Sequence, residues 1–537
     1  MNAAPPADRP GPSAASRGLA AAAVLMVFAT MASRVTGLIR TMVYSRVFGL
    51  TPEYGVFVQA FRIPDLVYFL MAGGALRTGF VPVFAEYLAH GKQEKAWRTF
   101  SIVLWVLVVF AVGLVGLGMI FAVPLARLVA PGFSEPQIAD CARMMRVLFP
   151  AELFFVLGGL LQGTLNAHKH FLWPGLGPII YNCFMIAGAI AAPYLWGINT
   201  VTYAVVVGAL VGNVLVQVPP LRHYGARLQA KLDFHDDGLH RVIKLALPVI
   251  FGLAIAEIVW VIITALSTRV DPVHGAAIME NANRLWKLPS GIFGAGVAIA
   301  LFPSLSEKYA LGDHKGYLRD FSFGMRNTVF LTLPAVLVIG LLRVPIVRLL
   351  LQGGKFTADD TLAVASVLLW LTPGMIALAI VYILTRAFYA RHDSVTPVWA
   401  GLLSVAVCVA AALPLMRYGM PGLAAATSLS GIANVAILLV LLRKRVGLLN
   451  GRHIVTSFAR SLPANLFLSA CCVVLPPLVD RFVGTGGMGK LLSVLLPLSV
   501  GLLGFIAIAT ASGVEELKTA WALVSRRGRK AEAVADE

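Results

Sequence analysis

Residues 99–126 read TFSIVLWVLVVFAVGLVGLGMIFAVPLA, without one charge between Arg98 and Arg127. A helix rises about 1.5 Å per residue, so roughly 20 apolar residues cross a bilayer core of about 30 Å. A membrane-spanning strand would alternate in polarity and be about half as long. The stretch therefore reads as a transmembrane helix over 96–124. Scanning outward finds about fourteen such segments: 18–47, 53–88, 96–124, 138–167, 172–194, 199–221, 241–268, 275–308, 321–342, 359–389, 395–416, 420–442, 455–478 and 490–512. The expected fold is an all-α polytopic membrane protein.

Composition agrees. The 537 residues are 58% hydrophobic and 13% charged, with a mean hydropathy of +0.81. Soluble proteins average about 45–50% apolar and about 25% charged residues. A soluble enzyme, a disordered scaffold and a nucleic-acid-binding module are thereby excluded. The net charge of +18 is explained by position. Basic residues crowd the loops expected on the cytoplasmic side: Lys92, Lys95 and Arg98; Arg222 to Lys244; Lys308, Lys315 and Arg319; Arg443 to Arg452; and Arg526 to Lys530. The loops expected outside are poorer, with Arg127, Arg269, Arg343, Arg348 and Lys355 as the exceptions. This asymmetry places both termini in the cytoplasm. Five cysteines, with no CxxC or Cys/His cluster, imply neither a disulfide framework nor a metal site. No cofactor is expected.

The halves repeat at an offset of about 221–225 residues, or six spans. Pro150 and Pro174 correspond to Pro373 and Pro397. Asn213-Val214 and Leu221-Arg222 correspond to Asn434-Val435 and Leu442-Arg443, and Pro193 to Pro414. Arg62-Ile63-Pro64 resembles Lys287-Leu288-Pro289. The expected organisation is a cytoplasmic tail (1–17), an N-lobe of spans 1–6 (18–225), a linker (226–240), a C-lobe of spans 7–12 (241–447), two added spans (452–512) and a basic tail (513–537). An even number of spans per copy makes the lobes parallel in topology. Transporters are often built so, with substrate between the lobes.

Charges interrupt particular spans. Leu19 to Ser33 is too short to cross, so Arg34 sits at membrane depth, where a guanidinium costs a few kcal/mol and seeks protein or a water-filled cavity. Arg40 either lines the same cavity or snorkels to the interface, and Arg46 snorkels. In the second span Pro64 and Gly73-Gly74 kink or unwind the helix. Arg62 and Asp65 read as an ion pair or as part of a site, and Arg77 has no acid nearby in sequence. The eighth span repeats the pattern with Arg284, Pro289 and Gly291. Arginine's planar fork suits phosphate oxygens, so the expected cargo is anionic and phosphorylated. The candidate substrate-binding residues are Arg34, Arg40, Arg62, Arg77 and Arg284. Glu257, alone in the seventh span, reads as a coupling-ion or proton site, an arginine partner, or an acid held neutral. No catalytic constellation or P-loop appears, so secondary transport rather than enzymatic chemistry is expected.

Short motifs in fixed order carry a resemblance. They are Ser33-Arg-Val-Thr-Gly-Leu-Ile-Arg40, Ala130-Pro-Gly-Phe133, Asp233-Phe-His-Asp236, Arg284 with Leu288-Pro-Ser-Gly291, Gly354-Lys-Phe-Thr357, and Ala387-Phe-Tyr-Ala-Arg391 leading to Thr396-Pro-Val398. Together, from about Leu19 to Arg445, the chain resembles the MurJ (MviN) family of lipid II flippases, within the multidrug/oligosaccharidyl-lipid/polysaccharide exporter superfamily. The resemblance implies fourteen helices, a cationic cavity and a bacterial inner-membrane location. It implies flipping of undecaprenyl-diphosphate disaccharide-pentapeptide, with essential arginines at Arg34, Arg40 and Arg284 and a lipid-tail groove at spans 13 and 14. Other implied partners are membrane lipids and proteins of cell-wall synthesis or division, and no nucleic acid. Thr41, Gly55 and Tyr68 depart from residues that many or some members carry, and span 11 lacks the acid of the sodium sites reported for some. The competing readings are an exporter of another lipid-linked sugar or of cationic drugs, a polyprenyl-phosphate sugar transferase, and a scaffold for wall assembly. A drug exporter for cations calls for an acidic cavity, and the transferase for outer-loop carboxylates; neither is found.

Overall fold

A computed structural model describes residues 14–71, 79–226, 228–229, 233–289, 293–449, 451–514 and 516–517, without the side chains of 14–27, 248–249, 251–256, 288–289 and 452. The chain is helical throughout the described residues, where a lone antiparallel bridge joins Gly353 to Phe356.

The helices in chain order are α1 (Ala14–Phe48), α2 (Pro52–Ala60), α3 (Arg62–Tyr68), α4 (Val81–Ala89), α5 (Gln93–Ile120), α6 (Ala122–Val129), α7 (Glu135–Ala167), α8 (Leu172–Ala191), α9 (Ile198–Ala209), α10 (Val218–His223), α11 (Asp237–Val270), α12 (Gly275–Pro289), α13 (Ala295–Ala310), α14 (His314–Leu341), α15 (Arg343–Leu350), α16 (Ala358–Tyr389), α17 (Val395–Leu415), α18 (Met420–Val446), α19 (Gly451–Phe482) and α20 (Gly487–Ala511). Among the described residues ten helices are long and apolar enough to cross a membrane. They coincide with ten of the fourteen expected spans, so the count of fourteen is not itself established. The other four expected spans form two repeat-related pairs. α1 and α11 are continuous helices of 35 and 34 residues. The second and eighth spans are irregular where they are described. α2 and α3 meet at a single turn residue, Phe61, and π-helical turns stand at 69–71 and 79–80, on either side of residues outside the described set. A π-helical turn at 293–294 likewise precedes α13. Pro64 lies in the first turn of α3, where its missing N–H costs no helical bond. Gly73, Gly74, Arg77 and Gly291 lie outside the described residues.

The repeat is written into the backbone. Lys169 (φ 59°) and His392 (φ 58°), the positive-φ residues other than glycine among the described residues, stand 223 apart. A 3₁₀ turn over Ala192–Tyr194 recurs at Met416–Tyr418. Each is followed by a left-handed glycine, Gly197 (φ 59°) or Gly419 (φ 75°), that opens the next helix. The buried cores correspond position by position: Phe80 with Leu301, Phe84 with Leu305, Phe100 with Phe321, Leu160 with Ile383, Leu165 with Phe388, and Leu221 with Leu442. Two copies of one packing scheme therefore fill corresponding positions with the same or another large apolar residue, a change that cores tolerate when patterning is kept.

Two compact units result. One comprises 1–47, 60–126 and 139–254; the other comprises 48–59, 127–138 and 255–537. Several family-like motifs have structural work within them. Asp233 and Asp236 flank Arg98 at 3.1 and 3.7 Å, and Asp236 accepts the Leu239 N–H at the start of α11. In the second unit a Cβ on Gly132 would stand 1.9 Å from the Thr268 carbonyl oxygen, so only glycine fits there. Thr357 begins α16 with a reciprocal capping box to Asp360. Two of the basic residues that break the expected charge asymmetry have carboxylate partners: Arg127 bonds Glu135, and Arg348 makes a two-pronged bond to Asp480 at 2.9 and 2.6 Å.

Proline breaks are repaired unequally. Pro373 deprives the Leu369 carbonyl of its helical donor. The Thr372 hydroxyl supplies one at 2.5 Å. One residue on, Ser428 of α18 accepts the Gly374 N–H at 3.1 Å and donates to the Trp370 carbonyl at 2.6 Å. No such hydroxyl stands beside Pro150 in α7 among the described residues.

Candidate functional site

In the first unit, α1 carries Arg34 and Arg40. The Asn182 side chain of α8 fixes this part of α1, donating to the Ser33 carbonyl at 3.4 Å and the Thr36 hydroxyl at 3.3 Å. α8 approaches closely because Gly175 lies against Ala29, where a Cβ would come within 2.5 Å. Arg34 is exposed and makes no hydrogen bond or ion pair among the described residues. Arg40 is half-buried. Among the described residues its one hydrogen bond runs from Nη1 to the Met185 sulfur at 3.2 Å, and its Nε is buried without a partner. A thioether is a weak acceptor. A guanidinium with a buried, unused donor is primed for a stronger one, and an anion with several oxygens supplies it.

Arg62 opens α3 and is buried; Asp65, one turn on, is exposed. Tyr68 of the same helix packs its ring 5.1 Å from Phe155 of α7, which lies 5.2 Å from the Tyr181 ring of α8. Arg40, Asp65, Tyr68 and Glu152 all act electrostatically on Tyr181. The first unit thus gathers Arg40, Asp65, Tyr68, Glu152 and Tyr181 around one spot, although α1, α3, α7 and α8 are far apart in sequence. The sequence analysis passes over Glu152, which is 2% exposed. The signal that marks it is the one applied to Glu257: a lone acid in a long apolar run.

In the second unit, Arg284 of α12 bonds Glu280 through Nε at 2.9 Å, one turn back on its own helix. Glu257 of α11 stands 3.7 Å from the Lys287 ammonium, which also lies 5.9 Å from the Trp260 ring centre. Trp260 stacks on Trp286 at 6.5 Å. Glu257 thus faces a lysine, not the arginine that one of its sequence readings expected. Among the described residues no cluster of His, Cys, Asp and Glu could hold a metal ion.

Outside the spans, Asp393 ends the turn after α16. Burial pushes its carboxyl up. The Thr396 N–H and hydroxyl, at 3.0 and 2.7 Å, and the Arg445 guanidinium outweigh that and hold it below its ordinary 3.8. Asp313 is likewise lowered, first by the Gly316 N–H.

Residues 44–504 match the family model described as lipid II flippase MurJ. A lipid II flippase MurJ of Burkholderia cenocepacia is 31% identical over 434 residues, spanning 78% of this chain and 82% of that one. A probable lipid II flippase of Rhizobium tropici is 29% identical, spanning 85% and 87%. In fold the chain is similar to lipid II flippase MurJ in an inward closed conformation, with a TM-score of 0.72 at 22% identity over 91% of this chain and 98% of that one. It is also similar to an inward-facing multidrug transporter of the MATE family, with a TM-score of 0.67 at 15% identity over 80% and 99%. An all-helical chain with this repeat, and a family match across most of its length, leads to one conclusion: the chain belongs to the MurJ family of lipid II flippases.

Proposed function

We propose that this chain carries undecaprenyl-diphosphate disaccharide-pentapeptide from the inner to the outer leaflet of the bacterial inner membrane by alternating access. Both termini lie in the cytoplasm, as the basic loops require. The arginines that bind the diphosphate in this reading are Arg34, Arg40, Arg62, Arg77 and Arg284, of which Arg77 lies outside the described residues. The observation that carries the reading is Arg40, whose buried Nε has no acceptor and whose one bond goes to a sulfur. The family's relatives, named for lipid II, supply the cargo class. Binding by arginine forks rather than by bond-making chemistry makes this a carrier, not an enzyme.

The test is rescue of bacteria depleted of their lipid II flippase, with membrane abundance checked. Wild type restores growth, and Arg34→Ala, Arg40→Ala, Arg77→Ala and Arg284→Ala do not. Purified wild type in vesicles then moves the lipid unaided. Rescue by all four variants would remove the arginines from the mechanism. An expressed wild type that neither rescues nor flips lipid II would point to a different lipid-linked sugar.

A further inference from the structure

Glu152 stands out because the fold does not require it. It follows Pro150 in α7 as Pro150-Ala-Glu152, and the repeat places Pro373-Gly-Met375 at the corresponding turn of α16. Met375 is fully buried there, so an apolar side chain satisfies the same packing position. Asp65 likewise corresponds to Ser290. Both acids belong to the first copy alone.

Glu152 is 2% exposed and its Oε2 is buried with no hydrogen-bond partner. It shares a face of α7 with Phe155, one turn on. Phe155 touches Tyr68 of α3 and Tyr181 of α8. Asp65 of α3 acts on it electrostatically, and Arg40 of α1, Asp65 and Tyr68 of α3 and Glu152 itself all act on Tyr181 of α8, so Glu152 and Arg40 share Tyr181 as a neighbour. Two acids, Glu152 and Asp65, therefore share this neighbourhood with Arg40 among the described residues. A diphosphate bound at Arg40 adds at least two negative charges beside them. In a poorly hydrated interior such an excess is relieved by neutralising an acid. The acid with least access to water, and with an oxygen lacking any donor, is Glu152.

We propose that Glu152 is a proton-binding site linked to anion binding at Arg40, so that each diphosphate bound draws a proton into the first unit. The step is a proton transfer alone: the carboxylate takes H⁺ from hydronium, leaving water and a neutral acid, and no other bond changes. By linkage, protons and the anion strengthen each other's binding to the same extent. The inference rests on the diphosphate site proposed above.

The full chain in detergent is titrated with a short-chain polyprenyl diphosphate in weakly buffered solution containing a pH indicator. Wild type is expected to take up about one proton per ligand, and its Kd to tighten by up to about tenfold per pH unit as pH falls. Glu152→Gln should still bind, with little uptake and a nearly pH-independent Kd. Glu152→Met, which copies the side chain at the repeat-related position, serves as a second variant with packing retained. Wild-type binding without proton uptake overturns the proposal while leaving the diphosphate site intact. Undiminished uptake in the two variants also overturns it. Failure of wild type to bind the probe refutes the diphosphate site itself, and this inference with it.

Discussion

The two halves share a backbone and differ in where their charges rest. At the turn joining the repeat-related helices α7–α8 and α16–α17, Lys169 and His392 adopt the same left-handed conformation. The next residue reaches a later helix in both copies, but by different chemistry. His170 meets the Tyr224 hydroxyl at 3.1 Å, whereas Asp393 pairs with Arg445. In the membrane interior the contrast is sharper. The second unit gives Arg284 and Lys287 acids within 4 Å. The first leaves Arg40 on a sulfur and Glu152 with an unpartnered oxygen. Duplication fixed the scaffold, and divergence then decided which charges each copy pairs; buried polar atoms without a hydrogen bond occur in both. Unsatisfied buried groups cost stability, and a ligand that satisfies them recovers that cost.

The largest expected effect tests this asymmetry directly. Arg40→Ala should lower flipping by about 10- to 100-fold, the worth of a charge-assisted hydrogen bond of about 1.5–3 kcal/mol. It should leave thermal stability unchanged or slightly raised, because its donor is already unsatisfied. Arg40→Lys should not restore activity, since a point charge lacks the fork. Arg284→Ala should reduce flipping by about tenfold and also lower the melting temperature, since Glu280 loses its partner. If Arg284→Ala spared stability while Arg40→Ala lost it, the contrast between the units would be reversed.

Next in size is the repaired proline break. Ser428→Ala removes both the acceptor of the Gly374 N–H and the donor to Trp370, at a cost of about 1–3 kcal/mol. Thermal unfolding in detergent measures it. A neutral result would mean that α16 and α18 hold without the bridge. The smallest effect concerns Asp393. Its folded carboxyl titrates below its ordinary 3.8. Its contribution is therefore complete above that pH and lost as pH falls through the folded value. Asp393→Asn should lower stability at neutral pH and flatten the acid limb below about pH 4, so that the two profiles converge in acid. An identical acid limb in the variant would remove this carboxylate from the account.

Much of this was legible in the chain. Ten expected spans are single long helices, because twenty apolar residues in a bilayer have few other ways to satisfy their backbone. The proline pairs located the repeat, and Pro64 with Pro289 marked the irregular spans. The site was legible in part. Arg34 and Arg40 announce themselves as charges in an apolar run. Their partners do not: Met185 stands 145 residues from Arg40 and Asn182 stands 149 from Ser33, distances no local pattern encodes. Glu152 was missed because one acid among apolar residues says nothing about what faces it.

Hydropathy and periodicity determine helices, spans and duplication because they act within one segment, through backbone hydrogen bonding and apolar transfer. Whether a charge is paired, exposed or stranded depends on side chains brought by other helices. Only the tertiary structure decided that Glu257 meets Lys287, that Arg348 meets Asp480, and that a nitrogen of Arg40 and an oxygen of Glu152 are buried without a hydrogen-bond partner among the described residues.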